Sequence, residues 1–178
     1  MQQSPVPIAE IEKAIRNIPD FPKSGIQFKD ITPVLADPRL FAASIDLLTE
    51  GFAPGSVDAI VGIDARGFIF AAAAALKLKS GFIPVRKKGK LPYSTYEQSY
   101  DLEYGTNTIA IHTDALKPGT RVLLIDDLLA TGGTAQATAQ LVDKIGAKIL
   151  QITFLIELGF LQGRTKLASF PVRSLIKY

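Results

Sequence analysis

One stretch, RVLLIDDLLATGGTAQATAQLV at Arg121–Val142, constrains the fold more than any other. Val122, Leu123, Leu124 and Ile125 form an unbroken apolar run that suits a buried strand, and the Ala/Gln/Leu segment after Gly132 and Gly133 suits a helix. A strand, a glycine loop and a helix in that order commonly hold an anion. Glycines let the backbone approach closely, and the first free N–H groups of the helix point at the ligand with partial positive charge. Thr131 and Thr134 add hydroxyl donors. Asp126 and Asp127 repel a bare phosphate, so they must face sugar hydroxyls, a metal or a developing cation, and a phosphorylated sugar satisfies both halves of the stretch. The Walker pattern requires a lysine where Thr134 stands, and the dinucleotide pattern requires a third glycine, so neither fits. For the glycine pair alone, an ordinary strand-to-helix turn with Asp127 near a cap is the competing reading.

The rest of the chain continues this alternation. Ile8, Ile11, Ile15 and Ile18 follow helical spacing after Ser4-Pro5, and Asp37-Pro38 reads as the cap and first turn of a second helix carrying Phe41, Ile45 and Leu48. Then come DAIVGI as a strand, an Ala-rich helix, GFIPV as a strand, a long polar loop, TIAIH, the signature strand and helix, and AKILQITFLI. Strands alternating with helices imply an open, mostly parallel sheet flanked by helices, an α/β fold. The 178 residues at 47% hydrophobic content suit one domain with a full core. The longest apolar candidate for a bilayer span, GFIFAAAAALKLK, ends in lysines well short of the ~18 residues required. The N-terminus has no basic region followed by an apolar one, so no signal peptide is expected. With no cysteine, the chain has neither disulfides nor thiolate sites, which is compatible with a cytoplasmic location.

A second strand-to-helix junction, IVGIDARGFIFAAAA, places Asp64, Ala65, Arg66 and Gly67 in an equivalent position. Ligands of open parallel sheets bind beyond the carboxyl ends of the strands, so Arg66 and Asp127 are expected around one substrate. Arg86, Lys87, Lys88 and Lys90 crowd the end of the next strand, a density that calls for an anion. Nucleic acid is a rival ligand, given a pI near 9.1 and a net charge of +3. The charge excess is small and no aromatic-interleaved recognition motif accompanies it, so no nucleic-acid partner is expected. The segment Lys90–Thr108 has too few periodic apolar residues for a core element and is expected to be a lid, with Glu97, Asp101 and Glu103 as its acids. His112 is expected to serve packing or an exposed hydrogen bond.

The signature stretch resembles that of the type I phosphoribosyltransferases: four apolar residues, two acids, two apolar residues, a small residue, then T-G-G-T. The resemblance sharpens along the chain. PDFPKSGIQFKDITPVLADP, GIDARGF, RKKGKLP, YDLEYGT and DDLLATGGT occur in an order and at spacings similar to the adenine-specific members, from about Ile11 to Tyr178. It implies a Rossmann-like fold with a small N-terminal hood, about residues 1–36, and a flexible lid, about 86–108. Ala130, Thr131, Gly132, Gly133 and Thr134 then wrap the 5′-phosphate, while Asp126 and Asp127 meet the ribose hydroxyls. Asp64, Ala65 and Arg66, with Arg86, Lys87 and Lys90, take the pyrophosphate. Ile26, Gln27, Phe28 and Lys29 take the adenine, with Phe28 against the purine face. Glu103, the glutamate of L-E-Y-G, becomes the acid–base residue. Gln27, Lys29 and the Y-S-T-Y-E-Q-S stretch depart from the family's residues at these positions.

The resemblance further implies purine salvage: phosphoribosyl pyrophosphate and adenine giving AMP and pyrophosphate. Mg²⁺ is the implied cofactor, held mainly by pyrophosphate and ribose near Asp126 and Asp127, and the implied assembly is a homodimer. Glu103, Asp126, Asp127 and Arg66 are the implied catalytic group. Two alternatives stand beside this reading: the same chemistry on hypoxanthine or guanine, and a nucleic-acid-binding regulator built on the same fold.

Overall fold

The isoleucine spacing near the start of the chain is helical only as far as residue 14. The computed structural model describes residues 6–101 and 105–178. In it, α1 is Ile8–Ala14 with Ile11 buried, and Ile15 already has an extended backbone. Ile18, expected on the same helix, lies instead in β1 (Arg16–Pro19). It precedes Pro19, whose ring disfavours helical backbone at the residue before it. β1 pairs antiparallel with β2 (Gln27–Asp30), Ile18 opposite Phe28. The hairpin's connection is tied by Gly25 N donating to Asp20 Oδ1 at 2.7 Å. A short α2 (Thr32–Ala36) follows, with Asp30 Oδ1 accepting from Thr32 N at 2.9 Å. The helix α3 (Pro38–Leu48) begins where Asp37-Pro38 predicts: Asp37 Oδ1 accepts from the amides of Arg39 and Leu40 at 2.8 and 3.3 Å. The chain divides into two compact units, Met1–Leu47 and Leu48–Tyr178.

The second unit holds β3 (Ala59–Ile63), α4 (Gly67–Leu78), β4 (Gly81–Lys87), β5 (Thr95–Asp101), β6 (Thr106–His112), β7 (Arg121–Leu129), α5 (Gly133–Ile145), β8 (Lys148–Glu157) and β9 (Val172–Lys177). Two 3-10 turns, Gly159–Leu161 and Gly163–Leu167, join the last two strands. The strands form one sheet in the order β5-β6-β4-β3-β7-β8-β9. β4, β3, β7, β8 and β9 run parallel, while β6 pairs antiparallel with β4 and with β5. This is the expected α/β architecture: an open, mostly parallel sheet flanked by helices. β3 is buried at every position, which explains why its sequence is apolar without alternation. The alanine run serves close helix packing, since Ala71 and Ala74 of α4 are fully buried.

The stretch expected as a lid loop is not a loop throughout. Residues 95–101 are strand β5, laddered to β6 from Thr95 opposite His112 to Asp101 opposite Thr106. An edge strand needs only one partner and little apolar surface, so it leaves no alternating pattern to read. Its packing comes from tyrosines: Tyr100 lies against the core, and Lys144 Nζ sits 5.8 Å from the centre of the Tyr96 ring.

The strand order fixes where a ligand can bind. β3 leads through α4 to β4 on one side, and its other neighbour, β7, leads through α5 to β8 on the opposite side. The loops leaving the carboxyl ends of β3 and β7 therefore part company and open a crevice between them.

Candidate active site

That crevice is a cavity of about 280 Å³ lined by residues 63–66 and 126–135. One wall is the β3–α4 junction, Asp64-Ala65-Arg66, whose Asp64–Ala65 peptide bond is cis. The other is the end of β7 and the turn into α5. The two acids lie within β7 rather than after it, because the strand continues to Leu129.

The walls are joined by an ion pair, Arg66 Nε to Asp127 Oδ2 at 2.7 Å. Asp127 is 6% exposed. Its carboxyl is raised above the usual carboxylate range by burial, with the Arg66 charge as the largest opposing influence. Asp126 is raised further, first by burial and then by the neighbouring Asp127 charge. Its Oδ1 accepts from Asp127 N at 2.9 Å and lies where a side chain on Gly67 would have to go, so α4 begins directly against this carboxylate.

The T-G-G-T turn has the features that an anion requires. Gly132 caps α5 in a left-handed conformation, φ +77°, and among the described residues no side chain bonds the first amides of the helix. Those amides face the cavity end of a 13-residue helix, where the dipole favours negative charge. Thr134 Oγ1 donates to Tyr100 Oη at 2.9 Å.

A scan against family models matches residues 27–168 to the phosphoribosyl transferase domain. An adenine phosphoribosyltransferase of Acidothermus cellulolyticus is 56% identical over 174 residues, 97% of this chain and 98% of that protein. The chain belongs to the adenine phosphoribosyltransferase family. The adenine phosphoribosyltransferase of Rhodothermus marinus superposes with a TM-score of 0.91 at 52% identity, covering 96% of this chain and 98% of that one. The enzyme of Saccharomyces cerevisiae, solved with adenine and an imino-altritol bisphosphate, superposes with a TM-score of 0.89 at 41% identity over 94% and 97%. Members of this family are glycosyltransferases acting on a phosphoribosyl group.

Within the second unit, the cavity brings together Asp64, Ala65, Arg66, Asp126, Asp127 and Ala130 to Thr134. Arg86 stands behind Asp64, its Nε donating to Asp64 Oδ2 at 2.8 Å and its Nη1 to Lys90 O at 3.1 Å. Lys87 ends β4 and Lys90 lies on the turn after it; both are exposed and neither lines the cavity, and Lys88 pairs with Glu97 at 2.7 Å. In the first unit, Ile26 precedes β2, which carries Gln27, Phe28 and Lys29. Gln27 Oε1 accepts from Asn17 Nδ2 at 2.8 Å, and Phe28 meets Phe21 edge-on at 5.1 Å. Glu103 lies outside the described residues. His112 accepts a weak bond from Tyr93 N at 3.4 Å. Sequence reasoning missed Tyr100 and Gly163, which touch the T-G-G-T turn, and the Glu157–Arg164 ion pair beside Gly163. Tyr100 lies on an edge strand and Gly163 and Arg164 in a 3-10 turn, none with a periodic signal, while Glu157 ends the interior strand β8 just past its apolar run.

Proposed function

We propose that the chain transfers the 5-phosphoribosyl group from phosphoribosyl pyrophosphate to adenine, giving AMP and pyrophosphate, as a purine-salvage enzyme acting as a homodimer in the cytoplasm. The observation that carries this is one crevice with three electrostatic characters: free helix amides, paired carboxylates and an arginine. They match, in order, the 5′-phosphate, the ribose and the departing pyrophosphate.

In this reading Ala130 to Thr134 hold the 5′-phosphate through the first amides of α5, which fixes the sugar over β7. Breaking the C1–O bond to pyrophosphate makes the ribose ring cationic and the leaving group anionic. Asp126 and Asp127 favour the cation. Arg66, flanked by Asp64 and the backbone of Ala65, favours the anion, with Arg86, Lys87 and Lys90 drawn in around it. Ile26 to Lys29 take the adenine, and Glu103 manages the purine proton as N9 attacks C1. The donor set fits Mg²⁺: two hard carboxylates and, among the described residues, no cluster of three or more acidic, histidine or cysteine ligands, which suits an ion that keeps mostly water and phosphate oxygens. Asp126 and Asp127 would stand nearest to it, and when bound it supplies charge neutralisation on the pyrophosphate.

The hypoxanthine/guanine and nucleic-acid-regulator readings are set aside, since the close relatives carry the adenine-specific name and no observation favours either. The test is AMP and pyrophosphate formation measured with adenine, hypoxanthine and guanine in turn. Turnover with adenine and Mg²⁺ is expected, and turnover only with the other two bases would refute the proposal.

A further inference from the structure

Outside the cavity lies a side-chain cluster that the reaction above does not use. Glu157, the last residue of β8, is 6% exposed. Arg164 grips it with both arms of its guanidinium, Nε to Oε1 at 3.0 Å and Nη2 to Oε2 at 2.5 Å, and Lys177 Nζ stands 3.8 Å away. The Arg164 bonds hold the Glu157 carboxyl down at about 2 against its burial. The other donors of Arg164 reach Val172 O at 2.8 Å and Ser174 Oγ at 3.0 Å. A guanidinium bonded in this way has one available position.

The residue before it, Gly163, lies directly against the T-G-G-T turn. A Cβ on Gly163 would overlap Ala130 O and come within 2.8 Å of Gly132 N and 2.9 Å of Thr131 C. A Cβ on Gly132 would in turn overlap Gly163 O. Two stretches of backbone therefore touch with no side chain between them. The strand side of the turn is held by the same group of residues: Leu129 pairs with Glu157 in the β7–β8 ladder, and Leu158 N donates to Leu129 O at 2.9 Å.

We propose that the Glu157–Arg164 pair is a positioning device for the phosphate turn: Arg164, locked onto Glu157, presses Gly163 against residues 130–132 and sets the conformation in which the amides of α5 receive the 5′-phosphate. This rests on reading Ala130–Thr134 as the phosphate cradle. A turn with two adjacent glycines has little rigidity of its own, and a cradle that orders only on binding loses affinity to that ordering. An ion pair whose carboxylate is buried and whose arginine is half-buried contributes little net stability compared with apolar packing, but its two-pronged geometry fixes where the guanidinium sits.

The experiment is calorimetric titration of the full chain with ribose 5-phosphate, which carries the 5′-phosphate and no pyrophosphate, beside steady-state kinetics. Arg164→Lys keeps the charge and loses the fork. It is expected to raise the Kd for ribose 5-phosphate and the KM for phosphoribosyl pyrophosphate on the order of tenfold or more, leaving the KM for adenine nearly unchanged. Arg121→Lys, the same exchange in the Arg121–Asp58 pair at the opposite end of β7, is expected to change none of these. Thr134→Val tests the cradle itself. Weaker binding in Thr134→Val with normal binding in Arg164→Lys leaves the cradle standing and overturns the device. Normal binding in both removes the cradle reading and the device with it. An equal loss in Arg121→Lys also overturns the proposal, by showing a general effect of destabilisation. Should Arg164→Lys fail to fold, Glu157→Gln removes only the acceptor's charge and is judged by the same titration.

Discussion

Asp126→Asn should make the protein more stable and far less active. In the native fold a charge on this carboxyl comes at a cost: burial raises its pKa well above 3.8, the Asp127 charge beside it adds to the shift, and the Arg66 charge offsets only a little of it. Asparagine keeps the volume, keeps an oxygen for the Asp127 amide that Oδ1 accepts at 2.9 Å, and turns an amide donor toward the Asp127 carboxylate. The repulsion is thereby replaced by a hydrogen bond. Removal of such a strained functional charge stabilises by about 1–2 kcal/mol. For a chain of this size that is a rise in Tm of roughly 2–8 °C.

The pH dependence has a definite sign. A carboxyl whose folded pKa is raised contributes stability that is fully present below its unfolded value and is lost as pH rises through the folded value. Wild type should therefore match the variant below the ordinary 3.8 and fall behind it progressively above that. Thermal denaturation of both proteins at pH 5 and pH 8 reads the gap, and the larger gap belongs at pH 8. Activity should move the other way. Loss of one preorganised charge aimed at the transition state costs about 10²–10³ in kcat. A variant that melts at or below wild type at pH 8, or a gap of equal size at both pH values, would refute the reasoning.

Glu103→Gln should lower kcat about 10²–10⁴-fold with a smaller effect on adenine binding, in steady-state kinetics with adenine varied. Glu97→Gln should do far less, because Glu97 is already engaged by Lys88 at 2.7 Å. Glu157 is lowered from 4.5 to about 2, so its contribution is present above 4.5 and lost as pH falls toward 2. Urea denaturation across that window should show a flatter acid limb for Glu157→Gln than for wild type. Sedimentation at assay concentrations should show a dimer, and a fully active monomer would exclude the proposed assembly.

What was legible in the sequence is what has a local physical signature. The unbroken run Val122–Ile125 marked a strand covered on both faces, and all four residues are fully buried. Asp37-Pro38 marked a helix start because a cap acts within three residues. Ile18 misled because helical spacing says nothing of the proline that follows, and its hairpin partner Phe28 lies ten residues away. β5 and β9 escaped because edge strands take their stability from a ladder on one side. Their residues then serve other ends, as Tyr100 does at Thr134 and Ser174 at Arg164. Gly163 is the clearest case of a position that only the tertiary structure explains. Nothing in L-Q-G-R indicates that this backbone must touch Ala130 and Gly132.

The Arg66–Asp127 pair bears on how one crevice can hold such opposed charges before any substrate arrives. Two adjacent, poorly solvated carboxylates repel each other, and the guanidinium at 2.7 Å offsets one of them. It does so from the opposite wall, on the loop proposed to meet the pyrophosphate. In the proposed reaction, charge separates along the C1–O bond, positive toward the carboxylates and negative toward the arginine. The pair is already polarised in that sense, so its members need little movement as the bond breaks, and a dipole in place before the reaction has a smaller reorganisation cost than one assembled during it. On this reasoning Arg66→Lys, which retains the charge but loses the planar donor that meets Asp127 Oδ2, should lower kcat more than it weakens the binding of phosphoribosyl pyrophosphate. Pre-steady-state measurement of the chemical step separates the two, and a change confined to binding would show that Arg66 acts as a simple counter-ion.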